Sequence, residues 1–153
     1  MDIQTSRFGS LQIKNEDIFK IADGVLGFPH CEDFIILEHD TEGGTPFKWL
    51  QAVSDQNLAF VVVDPRQLVE QYVFALDDDA KGKLGSSAIE DLVPMVIVKI
   101  TGNAPTDVTV NLRGPIIINA QERCGCQIVL NNDDYAFDYP VFTKISKVGS
   151  GAE

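Results

Sequence analysis

Val108-Thr109-Val110-Asn111-Leu112-Arg113-Gly114-Pro115-Ile116-Ile117-Ile118-Asn119 decides the fold class. Val108, Val110 and Leu112 alternate with polar residues, and because a β-strand sends successive side chains to opposite faces, this spacing predicts a strand with one buried side. Gly114-Pro115 interrupts the run, glycine by its freedom to turn and proline by lacking a ladder N–H, and Ile116 to Ile118 resume it. The same grammar repeats outward. Leu11 with Ile13, Phe34-Ile35-Ile36-Leu37, Leu58 to Val63, Tyr72/Phe74/Leu76, Met95 to Ile100 and Ile128-Val129-Leu130 read as further strands. Asp23-Gly24, Glu42-Gly43-Gly44, Gly102-Asn103 and Asn131-Asn132-Asp133-Asp134 read as the turns between them. About ten short strands predict an all-β, single-domain antiparallel architecture, a partly open barrel or a sandwich.

Helical signal is brief, because no long window repeats apolar residues at spacings of three and four. Asp64-Pro65 has the chemistry of an N-cap followed by proline in the first helical position. Asp77-Asp78-Asp79-Ala80-Lys81 places carboxylates at the positive end of a helix dipole, with Gly85 as the terminator. One or two short helices are therefore expected. Residues 1–148 should form one domain and Gly149 to Glu153, small and polar, a flexible tail.

The chain of 153 residues has 12 Lys and Arg against 23 Asp and Glu, a formal net charge of -11. Such a surface repels phosphate backbones, which argues against direct nucleic-acid binding. It favours encounter with a basic protein, although acidity can also serve solubility alone. No apolar run is long enough to cross a bilayer as a helix, and Met1-Asp2-Ile3-Gln4 lacks the basic flank and apolar stretch of a signal peptide. A soluble cytoplasmic protein without membrane association is expected. Three cysteines, Cys31, Cys124 and Cys126, are an odd number and read as reduced thiols.

Each constellation that could carry chemistry fails on spacing. Asp77-x-Asp79 with Gly82 has the beginnings of a calcium loop, but Lys81 stands at the fifth position and Ala88 where the closing glutamate belongs. Gly82-Lys83-Leu84-Gly85-Ser86-Ser87 has the residue types of a phosphate loop without their order. Cys124-Gly125-Cys126, with His30-Cys31 and His39, is the one set that could bind a soft metal. Its one-residue gap is shorter than zinc pairs use, and a glycine-containing hairpin end with buried thiols explains it more simply. Neither histidine neighbours a nucleophile turn. No catalytic residue, metal site or cofactor is expected. The alternative is a small β-barrel enzyme that uses Cys124 and Cys126 for metal or thiol chemistry.

Several segments, taken in order, resemble one family. Ile3-Gln4-Thr5-Ser6-Arg7-Phe8-Gly9, Asp23-Gly24-Val25-Leu26-Gly27-Phe28, Pro46-Phe47-Lys48-Trp49-Leu50-Gln51-Ala52, Leu58 to Pro65, and Thr109 to Asn119 followed by Gly125 to Leu130 are similar to the flagellar assembly factor FliW family. The match spans nearly the whole chain. Ala52 stands where serine is common and Gly114 where alanine is common, the stretch Thr41 to Thr45 looks slightly long, and Cys124 and Cys126 are outside the family pattern.

The resemblance implies a protein without enzymatic activity that has two mutually exclusive partners. One is the basic, RNA-binding dimer CsrA, whose repression of flagellin translation it relieves, and the other is flagellin, which captures it. An acidic partner for a basic dimer is physically sensible. Under this reading Asp64, Glu70, Asp77, Asp78 and Asp79, flanked by Tyr72, form the face toward CsrA. Phe8, Phe28, Phe47 and Trp49 are the aromatic anchors for an amphipathic segment of flagellin.

Overall fold

The computed structural model describes residues 1–25, 27–38, 47–85, 89–104, 107–131 and 135–141. His39, the turn at Glu42-Gly43-Gly44, the Asn132-Asp133-Asp134 part of the last turn and the expected tail at Gly149 to Glu153 lie outside the described residues. So do the Ser86-Ser87 end of the glycine-lysine loop and Ala88.

Strands dominate, as the alternation predicts. β1 (Asp2–Thr5) and β2 (Gly9–Gln12) form an antiparallel hairpin of their own. β3 (Ile18–Ala22), β4 (Asp33–Glu38), β5 (Phe47–Ala52) and β6 (Ala59–Val63) follow as an antiparallel meander. After the helix come β7 (Leu92–Ile100), β8 (Val108–Val110), β9 (Ile116–Asn119), β10 (Cys124–Gln127) and the two-residue β11 (Tyr139–Pro140). Nine strands make one sheet in the order β11-β8-β7-β6-β5-β4-β3-β10-β9.

The sheet closes through β7, the longest strand. Leu92 to Met95 pair with Asn119 to Ile116 of β9, Val96 and Ile97 with Val63 and Val62 of β6, and Val98 to Ile100 with Val110 to Val108 of β8. The run β7-β6-β5-β4-β3-β10-β9 therefore returns to its own start as a barrel, from which β8 and β11 project. Every pair is antiparallel except β3 with β10, where Lys20, Ile21 and Ala22 run parallel to Cys124, Gly125 and Cys126.

Period two divides the barrel wall between two cores. Val62, Met95, Ile116 and Ile118 point inward to Phe19, Ile21, Phe34 and Leu50. Their neighbours Val63, Val96 and Ile117 point outward, onto Leu68, Tyr72, Phe74, Ala80 and Leu84. The inner core is tight at Gly125, where a Cβ would lie 2.7 Å from the Ile117 carbonyl oxygen and 2.9 Å from Ile118 Cδ1. The β1–β2 hairpin covers a third patch, Ile3 and Ile13 over Ile35 of β4.

Two strand expectations need correction. Tyr72, Phe74 and Leu76 keep an extended alternation, Tyr72 and Phe74 buried and Val73 exposed, but the segment joins no sheet. Its Val73 N–H is taken by the Tyr135 hydroxyl at 2.7 Å, so a side chain does the work of a neighbouring strand. Ile128 to Leu130 likewise fall outside the named strands, although Ile128 and Leu130 donate to the carbonyls of Pro115 and Arg113. Asp23 and Gly24 both adopt positive φ, as the turn reading requires. At Gly24 a Cβ would lie 2.3 Å from the Phe28 carbonyl oxygen, so side-chain-free backbone is needed there on two counts.

Candidate functional site

α1 (Asp78–Leu84) forms where capping chemistry predicts it. The Asp77 carboxylate accepts the Ala80 N–H at 2.8 Å, Asp78 and Asp79 occupy the first turn, and Gly85 ends the helix at φ 69. Ala80 and Leu84 are buried against the outer core, which turns the carboxylates toward solvent. Lys83 gathers two of the neighbouring acids: its ammonium lies 2.7 Å from Asp23 and 2.9 Å from Asp79. Hydrogen bonds to Asp23 and then Asp79 hold that ammonium above its ordinary pKa. Asp78 makes no ion pair among the described residues and keeps its charge exposed.

Between α1 and the chain leaving β10 lies a groove of about 560 Å³ whose lining includes Leu76, Asp77, Asp79, Lys83 and Val129. Val129 is an exposed apolar residue, 55% accessible, on a floor with an acidic rim. Asp77, Asp78 and Asp79 are thus brought together on one helix start. Asp64 and Glu70 do not line the groove. Asp64 caps the single turn Pro65–Gln67 by accepting the Arg66 N–H, and the Arg66 guanidinium lies 2.7 Å from the same carboxylate. Glu70 is exposed.

Tyr72 is not a surface neighbour of these acids. It is buried, donates its hydroxyl to the Leu112 carbonyl at 2.5 Å and stacks on Tyr135 with ring centroids 4.8 Å apart. Burial raises its pKa above the ordinary tyrosine value. Its part is to hold its own segment against the chain that continues β8 at Leu112.

The four aromatic anchors do not form one surface. Phe8 and Trp49 meet edge to face at 5.6 Å, with the Arg7 guanidinium 4.7 Å from the Trp49 ring centroid. Phe28 meets Phe60 at 5.7 Å beside the inner core. Phe47 packs on the outer core. Phe8 with Trp49 is therefore the pair that combines partial exposure with mutual contact.

The cysteines do not make a reactive centre. Cys124 and Cys126 sit in β10, on the face covered by α1, because Gly125 between them faces the crowded interior. The Cys124 sulfur lies 3.5 Å from the Leu84 carbonyl oxygen. Burial pushes the Cys126 thiol up to about 11, and the Cys124 thiol is also raised, first by burial and then by Glu122. A thiol that stays protonated is a poor nucleophile and metal ligand. Among the described residues no three His, Cys, Asp or Glu side chains converge on a point that could hold a metal. No helix among those residues is long and apolar enough to cross a membrane.

The family model described as FliW protein matches residues 2–141. The chain belongs to the FliW family. It is 36% identical over 152 residues to the flagellar assembly factor FliW of Caldanaerobacter subterraneus subsp. tengcongensis, covering 99% of this chain and 100% of that one. It is 40% identical over 141 residues to the FliW of Syntrophus aciditrophicus, covering 92% of this chain and 87% of that one. A crystal structure of the flagellar assembly factor FliW superimposes with a TM-score of 0.82 at 30% identity, covering 92% of this chain and 96% of that one. FliW proteins are flagellar assembly factors and not enzymes, so the thiol- or metal-dependent alternative finds no support. The β-rich fold expected from the alternation and from the resemblance is the FliW fold.

Some residues of the groove escape sequence reasoning. Lys83 and the exposed Val129 line it from two separate elements, and Asp23, from the turn after β3, reaches its edge only through the ion pair to Lys83. The spacing of Asp79 and Lys83 at i and i+4 was a legible clue to one of those contacts. Nothing in the chain order connects Asp23 to them.

Proposed function

We propose that this FliW-family chain acts in the cytoplasm as a non-enzymatic, two-partner switch in flagellar assembly. It binds a basic CsrA-type translational regulator and releases it when flagellin binds, coupling flagellin synthesis to filament assembly. The observation that carries the electrostatic half is the start of α1, where Asp77, Asp78 and Asp79 share one solvent face beside an apolar-floored groove in a protein of net charge -11. Clustered carboxylates on an exposed helix start steer a cationic partner and set a salt-dependent association rate. Asp64, tied to Arg66, and the exposed Glu70 are further acids offered to the regulator, while Tyr72 is buried and holds its own segment in place. Phe8 and Trp49, half-buried and in mutual contact, are the aromatic surface for an apolar segment of flagellin, whereas Phe28 and Phe47 pack on the two separate cores.

Size-exclusion chromatography and fluorescence anisotropy with purified CsrA-type dimer and flagellin test this reading. The CsrA complex should weaken as salt rises, and flagellin should displace the regulator. Asp78→Lys combined with Asp79→Lys should weaken the regulator complex by about tenfold or more at low salt, with native and variant converging as screening increases. Absence of both complexes at micromolar protein in low salt, or joint occupancy without mutual weakening, would refute the switch.

A further inference from the structure

A second cavity, of about 470 Å³, opens at the mouth of the barrel beneath the β1–β2 hairpin. Phe19, Ile36, Met95 and Ile118 supply apolar walls from four strands. Arg123 reaches this lining from the turn between β9 and β10. Two unfavourable features coincide at that residue. Its backbone is left-handed, at φ 54, a conformation that turns usually assign to glycine or asparagine. Its Nε–H is buried without any hydrogen-bond partner, and its guanidinium lies over the Phe19 ring at 4.1 Å, with no ion pair among the described residues. Lys48 adds a second cation to the lining. Asp17 is the acid of that lining, and its Oδ2 accepts the Lys14 N–H at 2.9 Å.

An apolar-walled pocket in which Arg123 makes no ion pair among the described residues, in a protein of net charge -11, suits an apolar molecule with a single anionic head. We propose that the barrel mouth binds an apolar chain ending in a carboxylate, with the carboxylate on Arg123 and the chain over Phe19, Ile36 and Met95. A guanidinium fork matches a carboxylate in two hydrogen bonds, so the Arg123 side chain, which makes no ion pair among the described residues, is the group on which such a head would seat. This site is separate from the acidic groove at α1 and does not depend on the partners proposed there. A free medium-chain fatty acid and the apolar carboxyl terminus of a peptide both carry this chemistry.

Isothermal titration of the intact protein with octanoate and decanoate, neutral octan-1-ol, N-acetyl-leucyl-leucine and the amide of that dipeptide distinguishes the sources. Saturable 1:1 binding of at least one carboxylate is expected, tighter by about fourfold per added methylene along the acyl series. Acyl binding without peptide binding points to a lipid-derived ligand, and binding of the dipeptide acid but not its amide points to a peptide terminus. Arg123→Gln should weaken carboxylate binding at least tenfold while changing octan-1-ol binding less than twofold, and Arg123→Lys, which keeps the charge but loses the fork, should fall between Arg123→Gln and the native chain. Thermal unfolding of each variant checks that the barrel persists. If Arg123→Gln does not fold, Arg123→Lys and the comparison of octanoate with octan-1-ol decide. No saturation by any carboxylate at about 5 mM, equal affinity for octanoate and octan-1-ol, or Arg123→Gln affinity unchanged would each overturn the assignment.

Discussion

Replacing Gly125 by alanine is the sharpest test of the barrel's inner packing. The added Cβ would sit 2.7 Å from the Ile117 carbonyl oxygen, 2.9 Å from Ile118 Cδ1 and 3.1 Å from Ile21 Cδ1. The two isoleucine methyl groups can rotate away, but the carbonyl belongs to β9, which is held in register by β10 on one side and β7 on the other. Relief therefore requires β10 to move by several tenths of an ångström, and that motion strains its parallel pairing with β3 as well. Overpacking of this kind costs about 3 kcal/mol, the upper part of its usual range. For a chain of this size each kcal/mol lowers Tm by about 2–4 °C, so Gly125→Ala should melt about 6–12 °C below the native protein. Gly82→Ala is the matched control: the site is helical and exposed, with nothing within 4 Å of the added Cβ. It should gain about 1 kcal/mol from helix propensity. Differential scanning calorimetry reads both. A Gly125→Ala protein that melts within a degree of the native chain would mean that the wall at β9 and β10 yields freely, and the packing argument would fail.

Tyr72→Phe removes a buried hydroxyl and leaves the Leu112 carbonyl without its donor, so a loss of about 1–2 kcal/mol is expected in chemical denaturation, with the denaturant slope unchanged. Alkaline pH should destabilise the fold through Cys126. The native state favours the neutral thiol, whose pKa burial pushes up to about 11 from 9.0, so the unfolded chain loses this proton first. That contribution is complete below pH about 9 and is lost as pH rises toward about 11, amounting to at most about 3 kcal/mol. Cys126→Ala should flatten this part of the stability-against-pH curve, measured by urea midpoints at successive pH values; an unchanged slope would remove Cys126 as its source.

Local chemistry was legible and closure was not. The cap at Asp77, the stop at Gly85 and the turn at Asp23-Gly24 depend on residues within a few positions of one another, and the structure has them where the chain says. The strands at Phe34, Leu58, Met95 and Ile116 were equally visible in their apolar spacing. The two pairings that make a barrel are different. β7 with β9 and β3 with β10 join segments far apart in sequence, and neither Ile18 to Ala22 nor Cys124 to Gln127 carries a period that names its partner. The acidic run at 77–79 was easy to see, and so was Lys83 four residues after Asp79, but the placement of Val129 and Asp23 nearby is a tertiary fact. Tyr72 was misplaced because proximity in sequence to acids outweighed its own alternation with Phe74, which was the mark of a buried face. Arg123 gave no warning, since arginine is not a residue that turns favour in the left-handed region.

The parallel pairing of β3 with β10 has a kinetic meaning. Lys20 waits for Cys124, and Leu92 for Asn119, so the first four members of the meander are made long before the strands that shut them. During vectorial synthesis the β3–β6 meander is exposed with an open rim, and native topology becomes available only when β9 and β10 have emerged. The barrel can close only once Cys124 to Gln127 are available to pair with both β3 and β9.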